Sequence, residues 1–312
     1  MFGLNNFKMN KVVIFGGLGN QMFQFALASV LNHEGIPTRI SVRNFFIYSH
    51  HQGFEISKAF YVTLRPIDKL KIYILKVGSP VWEVRIVKKI MNIIVNVYTR
   101  LDVKKFVEKD EFYFDSSIFN QTQSLIIGTW QSDIYLNRNE RLIRKIFNFK
   151  IPQDLENLNL SLEISMVNAV AVHVRRGDYT NQEWKASHMV ITSPKYYQDS
   201  IQDLRGSLVN PVFYFFSDDM DWVKKNFIGN DFIFISHNIN DKSYIDMYLM
   251  SLCKNFIIAN STFSWWAAWL SEHSGKIVIM PDPWLKNRET PGIFPLTWFP
   301  KSVGEDTISA EL

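Results

Sequence analysis

Cysteine is nearly absent: Cys253 is the only one in 312 residues. No internal disulfide can form, and a reducing compartment is expected. Cys253 falls in an apolar stretch, where an inert buried thiol is a better reading than a nucleophile. Long apolar runs are missing as well. No stretch of about 18 such residues occurs, so nothing reads as membrane-spanning. Residues 1–10 lack the basic and apolar regions of an export signal, and the expected location is the cytoplasm. Two nucleotide fingerprints are incomplete. Met22 stands where the dinucleotide motif needs its third glycine, and no acidic residue follows about twenty positions on. No Gly-Lys-Ser/Thr follows either, which removes the P-loop. The net charge is only +4, and no RNP signature is seen, so nucleic acid is not an expected partner. Neither internal repeats nor low-complexity segments occur.

What remains is a globular composition, 47% apolar and 21% charged, long enough for two domains. Nine Trp, 12 Tyr and 25 Phe are many, and such rings line sugar or base sites as well as cores. Residues 12–15 read as a strand, Gly16-Gly17-Leu18-Gly19-Asn20-Gln21 as a turn and 22–31 as a helix. That layout brings backbone N–H groups to a phosphate, although three glycines also make an ordinary turn. Residues 124–128 are strand-like and run into Thr129-Trp130-Gln131-Ser132-Asp133, and 136–147 are helical. At 152–162 the composition turns to Asn, Leu and Glu, and the domain boundary is placed there. Beyond it, strands at 169–174, 212–216, 232–235, 256–259 and 277–280 alternate with helices at 194–204, 221–226, 244–253 and 265–272. Such alternation gives a parallel sheet covered on both faces, an α/β doubly wound domain.

Three strand ends in this half carry polar groups: His173 to Asp178, Ser217-Asp218-Asp219, and Asn260 to Ser264. Ligands of open α/β sheets sit outside the carboxyl ends of strands. Arg175 and Arg176 suit a phosphate or diphosphate, because guanidinium stays charged and offers paired donors; a surface Arg-Arg turn is the alternative. Asn260, Ser261, Thr262 and Ser264 precede a helix and could donate to phosphate oxygens; a simple cap explains one of them but not four. Asp246 could accept from a nucleobase N–H pair, or be a solvated carboxylate. Asp178 and His173 could form an acid/base pair, unless a buried His173 only orients its neighbours. Asp219-Met220-Asp221 is an Asp-x-Asp pattern that could hold a divalent cation on a diphosphate. The arginines already supply positive charge, so no metal is expected. Trp265, Trp266 and Trp269 on one helix read as core.

Taken together, Gly16 to Gln24, Gly128 to Ser132, His173 to Tyr179, Phe216 to Asp219 and Ala259 to Trp269 strongly resemble the inverting α-1,2-fucosyltransferases of bacterial surface-polysaccharide synthesis, glycosyltransferase family 11. The segments span nearly the whole chain, in order. Thr129 departs where the family usually carries an aromatic, and Asn255 where a His is common. The resemblance implies an α/β, GT-B-like fold: two Rossmann-like domains with the active site in the cleft between them. Residues 1–155 would form the acceptor-side domain and 156–312 the donor domain. It implies transfer of L-fucose from GDP-β-L-fucose to the 2-hydroxyl of a terminal β-galactose in an O-antigen-type glycan, with no metal and no cofactor beyond the co-substrate. Another nucleotide sugar, or a non-catalytic glycan-binding role, are the competing readings.

Carried over by motif, Arg175 would hold the β-phosphate and Arg176 support it. His173 and Asp246 would contact guanine or ribose, and Ser261, Thr262, Phe263 and Ser264 the diphosphate. Gly17, Gly19, Ser217, Asp218 and Asn260 complete the donor set, and Asn20 would reach the phosphate or the acceptor hydroxyl. Glu55, Trp130, Gln131, Asp133 and Asp178 are assigned to the acceptor. Asp178 is the first choice of base, with Glu55 and Asp133 as alternatives; a loose oxocarbenium-like transition state asks little of any base. Finally, Arg65 to Lys105 carries ten Lys/Arg against Asp68, Glu83 and Asp102, interleaved with Ile and Val. This suits a protein resting on an anionic membrane, with a lipid-linked acceptor, or else a solvated face packed on its own domain.

Overall fold

The computed structural model describes residues 9–42, 44–47, 53–66, 68–69, 72, 104–176 and 190–304. The chain divides into two compact units, Met1–Lys150 with Pro291–Ile293, and Ile151–Thr290 with Phe294–Leu312. Most of the basic stretch 65–105 lies outside the described residues, as does Asp178. Among those described, no helix is long and apolar enough to cross a membrane.

The first unit is built on strands β1 (Asn10–Val13), β2 (Thr38–Ser41), β3 (Lys105–Val107) and β4 (Leu125–Ile127), with helix α1 (Leu18–His33) after β1. All pairings are parallel, in the order β2-β1-β4-β3. β1 ends because the Phe15 N–H leaves the ladder and donates to Gln24 Oε1 at 2.9 Å. α1 begins directly behind Gly17, earlier than the apolar pattern suggests, and buries Met22, Phe23, Ala26, Leu27, Val30 and Leu31. Gly35, at φ +77°, stops it in the left-handed conformation that glycine tolerates. β2 and β3 were not legible: each is a short, largely unburied strand without an apolar run. The helix expected over 136–147 is two, α2 (Asp133–Asn137) and α3 (Glu140–Ile146).

Pro291–Ile293 belongs to this unit. The Asp133 N–H donates to Gly292 O at 2.8 Å. A Cβ on Gly292 would lie 2.1 Å from Phe112 O and 3.0 Å from Ser132 Oγ. Backbone cannot yield as a side chain can, so Gly292→Ala should destabilise the protein by about 1–3 kcal/mol. A denaturant midpoint equal to that of the wild type would contradict this packing.

The second unit runs α4 (Leu155–Met166), β5 (Asn168–Val174), α5 (Pro194–Ser207), β6 (Pro211–Ser217), α6 (Met220–Asn226), β7 (Phe232–Ile235), α7 (Tyr244–Leu252), β8 (Asn255–Ile257), α8 (Thr262–Leu270), β9 (Val278–Asp282) and β10 (Phe299–Ser302). The division of the chain precedes α4, of which residue 155 is the first. Its six strands are parallel in the order β10-β9-β8-β5-β6-β7. Read from β7, this is the 3-2-1-4-5-6 order of a dinucleotide-binding sheet. Together with the four-stranded parallel unit before it, this gives the two α/β units of a GT-B-like fold. The core collects Val170, Val172 and Val174 of β5 with Tyr196, Tyr197 and Ile201 of α5 and Phe213 and Phe215 of β6. Trp265, Trp266 and Trp269 are buried core, in ring contact at 5.1–6.3 Å. Lys276 Nζ donates to Ala268 O at 2.7 Å and Ser271 O at 2.6 Å, satisfying carbonyls at the end of α8.

Candidate active site

In the second unit the sheet grows from β5 in both directions: β6 and β7 on one side, β8 to β10 on the other. The crevice such a reversal creates lies outside the carboxyl ends of β5 and β8. β5 delivers His173 there, followed by Arg175 and Arg176. The two arginines part company. Arg176 stacks over the Trp222 ring of α6 at 3.9 Å and pairs with Asp219 at 3.4 Å. Arg175 Nη1 meets Asp218 Oδ2 at 2.9 Å and keeps about a quarter of its side chain exposed.

Asp218 also accepts the Arg176 N–H at 2.9 Å. Asp219 accepts the Trp222 N–H at 3.2 Å, capping α6, and Ser217 Oγ accepts the Asp219 N–H at 3.0 Å. Ser217 and Asp218 thus build the turn that orients the two arginines. A carboxylate facing a phosphate would repel it; facing Arg175, it fixes the guanidinium. Among the described residues no group of three or more His, Cys, Asp or Glu could hold a metal ion.

His173 is buried, its ring 5.8 Å from that of Phe263 in α8. Burial, then the charge of Arg175, holds its pKa down to about 3. Both effects favour the neutral imidazole; Asp178, the other half of the suggested acid/base pair, lies outside the described residues. Its Nδ1 is buried without a hydrogen-bond partner among the described residues. An orphaned atom beside an arginine at a switch point is poised for a ligand.

At the start of α8, Ser261 Oγ accepts the Phe263 N–H at 3.3 Å. Ser264 Oγ donates inward to Ser261 O at 3.3 Å, and Asn260 Nδ2 to Trp284 O at 3.4 Å. Both side chains are buried, and these bonds shape the turn that leads into α8. Ser261, Thr262 and Phe263 remain half-buried in the first turn of the helix. Asp246 lies in the first turn of α7 and accepts from Asn238 Nδ2 at 2.9 Å. Burial raises its pKa to about 7, against the lowering effect of that bond.

The first unit has its own switch point, where β1 lies between β2 and β4. Gly16 sits at φ +79°, and a Cβ there would press on Asn20 Nδ2 at 3.0 Å. Gln24 Nε2 donates to Gly128 O at 3.2 Å, tying the two loops together. Gln21 donates to Gly16 O at 2.9 Å and Gly53 O at 2.8 Å, and accepts the Glu55 N–H at 2.9 Å. The Glu55 carboxylate in turn accepts the Leu18 N–H. A carboxyl group of the protein itself thus sits at the amino end of α1, beside the glycine turn. Burial raises Glu55 to about 7, with Lys58 and the Leu18 N–H pulling the other way. Asn20 Oδ1 accepts from the buried Gln131 Nε2 at 3.2 Å.

Trp130 is 1% exposed, stacked on Phe106 at 6.1 Å and edge-on to Tyr135 at 6.0 Å. Its φ of +61° is left-handed, a conformation costing a non-glycine residue about 1–3 kcal/mol. Glu108 holds it there, accepting N–H bonds from Thr129 at 2.6 Å and Trp130 at 2.9 Å. Nothing in the sequence marks Glu108, since a lone Glu after a short strand reads as solvated. Asp133 is buried, and one of its carboxylate oxygens accepts from Asn137 Nδ2.

Residues 9–298 match the sequence profile described as glycosyl transferase family 11. The chain belongs to that family. An α-1,2-colitosyltransferase of Escherichia coli is 35% identical over 281 residues, covering 88% of this chain and 91% of its own length. The O-antigen biosynthesis glycosyltransferase WbnK of Escherichia coli is 30% identical over 283 residues, covering 86% and 92%. Galactoside 2-alpha-L-fucosyltransferase Sec1 of Mus musculus is 33% identical over 104 residues, a third of this chain and 28% of its own.

This family 11 glycosyltransferase accommodates its two departures by hydrogen bonding. The Thr129 hydroxyl, in place of an aromatic ring, donates to Glu111 at 3.0 Å. Asn255 Oδ1 accepts the Ile277 N–H at 3.0 Å, between β8 and the approach to β9.

Proposed function

We propose that this glycosyltransferase transfers L-fucose, with inversion, from GDP-β-L-fucose to the 2-hydroxyl of a terminal β-galactose in a surface glycan. The observation that carries the reading is Arg175, aimed by Asp218 at the carboxyl end of β5 beside the orphaned His173 and the start of α8. In the reaction the bond from the acceptor oxygen to C1 of fucose forms as the bond from C1 to the phosphate oxygen breaks. The electron pair leaves on the GDP β-phosphate. Arg175 and the amino end of α8 stabilise that charge, and positive groups already in place need no metal to act. His173 Nδ1 bonds the nucleotide and Asp246 accepts the guanine N–H pair. The acceptor proton passes to a carboxylate. Asp178, nearest in sequence to the arginines, is the first candidate, and Glu55, whose pKa burial raises to about 7, is an alternative.

The 35% identity to a colitosyltransferase over 88% of the chain favours one second reading, a GDP-linked 3-deoxy counterpart of fucose as donor. A single assay separates the two. GDP release is measured with GDP-fucose, GDP-colitose and GDP-mannose, with and without a β-galactoside, in EDTA. Release from GDP-fucose, stimulated by galactoside and indifferent to EDTA, is the expected result. Preference for GDP-colitose moves the donor to the second reading. Loss of activity in EDTA overturns the role given to Arg175.

A further inference from the structure

Asp246 is braced from behind. Asn238, in the connection between β7 and α7, is buried, and its Nδ2 donates to Asp246 Oδ1 and to Asn157 Oδ1, both at 2.9 Å. Asn157, in the first turn of α4, returns the bond: its Nδ2 donates to Asn238 Oδ1 at 2.9 Å and to Asp154 Oδ1 at 2.8 Å. His237 Nε2 lies 2.9 Å from Asn157 Oδ1, and His237 Nδ1 3.4 Å from Glu156. The charged and titratable groups around the chain of amides are thus Asp154, Glu156 and His237, with Lys242 acting on Asp154.

The direction of these bonds is dictated. Asp154 caps α4, and its pKa is lowered first by the Asn157 N–H. An ionised carboxylate only accepts, so the Asn157 amide must present Nδ2 to it. That orientation fixes Asn157 Oδ1 toward Asn238 Nδ2, whose second proton is left for Asp246. The carboxylate is therefore held at one oxygen, in one orientation. A carboxylate so held matches the paired N–H donors on the guanine edge. The adenine edge offers an acceptor at the same place and is repelled.

We propose that Asn238, braced by Asn157, is a positioning residue that fixes the Asp246 carboxylate in the orientation that reads a guanine edge, and so sets the choice of guanine over adenine nucleotides. This rests on the reading of Asp246 as a base contact. Asn238 touches no substrate and acts through Asp246.

The test is calorimetric binding of GDP and ADP to the full chain across pH. Wild-type affinity for GDP should rise with pH through about 7, as Asp246 ionises, and ADP should bind more weakly throughout. Asn238→Ala should bind GDP about tenfold more weakly at neutral pH, the size of one lost hydrogen bond to a charged group. Its midpoint should move to higher pH, since the donor favouring the ionised form is gone. The preference for GDP over ADP should narrow. Asn157→Ala should give the same changes, smaller. If Asn238→Ala does not fold, Asn238→Ser reads the same quantities, being too short to span both partners. A folded variant with unchanged midpoint and preference overturns the role of Asn238. A wild type that binds no GDP overturns the nucleotide reading itself.

Discussion

Arg175→Ala should fold normally and lose about 10²- to 10³-fold in turnover, the usual cost of removing one donor from a developing oxyanion. The geometry makes the loss severe. The side chain lies just past β5 and outside the core, so truncation leaves no cavity, and thermal stability should hold. Asp218 would keep its bond to the Arg176 N–H but lose its guanidinium, leaving an unneutralised carboxylate where phosphate must bind. Adding Asp218→Asn to the Arg175→Ala variant removes that charge and should recover part of donor binding without restoring turnover. Arg175→Lys keeps the charge but not the planar pair of donors, and should fall between. GDP release with parallel melting curves checks the series. A folded Arg175→Ala variant with most of its turnover would remove Arg175 from the mechanism.

With Glu55 as the base, Glu55→Gln is expected to cost about 10²-fold in transfer to the galactoside, within the range for loss of a general base, while GDP binding stays as it was. The amide oxygen still accepts the Leu18 N–H, so the start of α1 is preserved. As a base, Glu55 must be ionised, so wild-type transfer should rise with pH and level off above about 7. The variant should lose that limb of the profile. Stability should move the opposite way. Between pH 4.5 and about 7 the unfolded chain has released this proton and the folded chain has not. The folded state then binds more protons, so Glu55 lowers stability as pH rises through that window. Gln carries no charge to bury and should melt at the same or a higher temperature above neutrality. A purely structural Glu55 would show lower stability and an unaltered pH profile.

The second unit was legible because its strands are continuous apolar runs with polar groups at their ends, as in Ala169 to Arg176. Which of those groups face outward was not. Asn260 and Ser264 read like phosphate ligands and bond inward, and Asp218 reads like a donor contact and holds an arginine. One-dimensional spacing places a residue at a strand end but does not say which way its hydrogen bonds run. Glu108, the left-handed Trp130 and the Asn157–Asn238 pair depend on contacts between residues 22 and 81 positions apart, for which no local pattern exists. α4 was missed because its buried face is narrow, only Asn157, Leu160 and Ile164, while Leu155, Leu162 and Met166 are exposed.

Gly292 bears on how members of this family could be recombined. A hybrid joined at Lys150–Ile151 would exchange nearly all of the first unit yet leave behind the tripeptide that completes it. The new host would receive Asp133 and Ser132 fitted to one tripeptide and be given another. Any residue larger than glycine at its centre would strike the Phe112 carbonyl. Grafts of the first unit between relatives should therefore travel as two pieces of sequence, the long segment together with Pro291–Ile293.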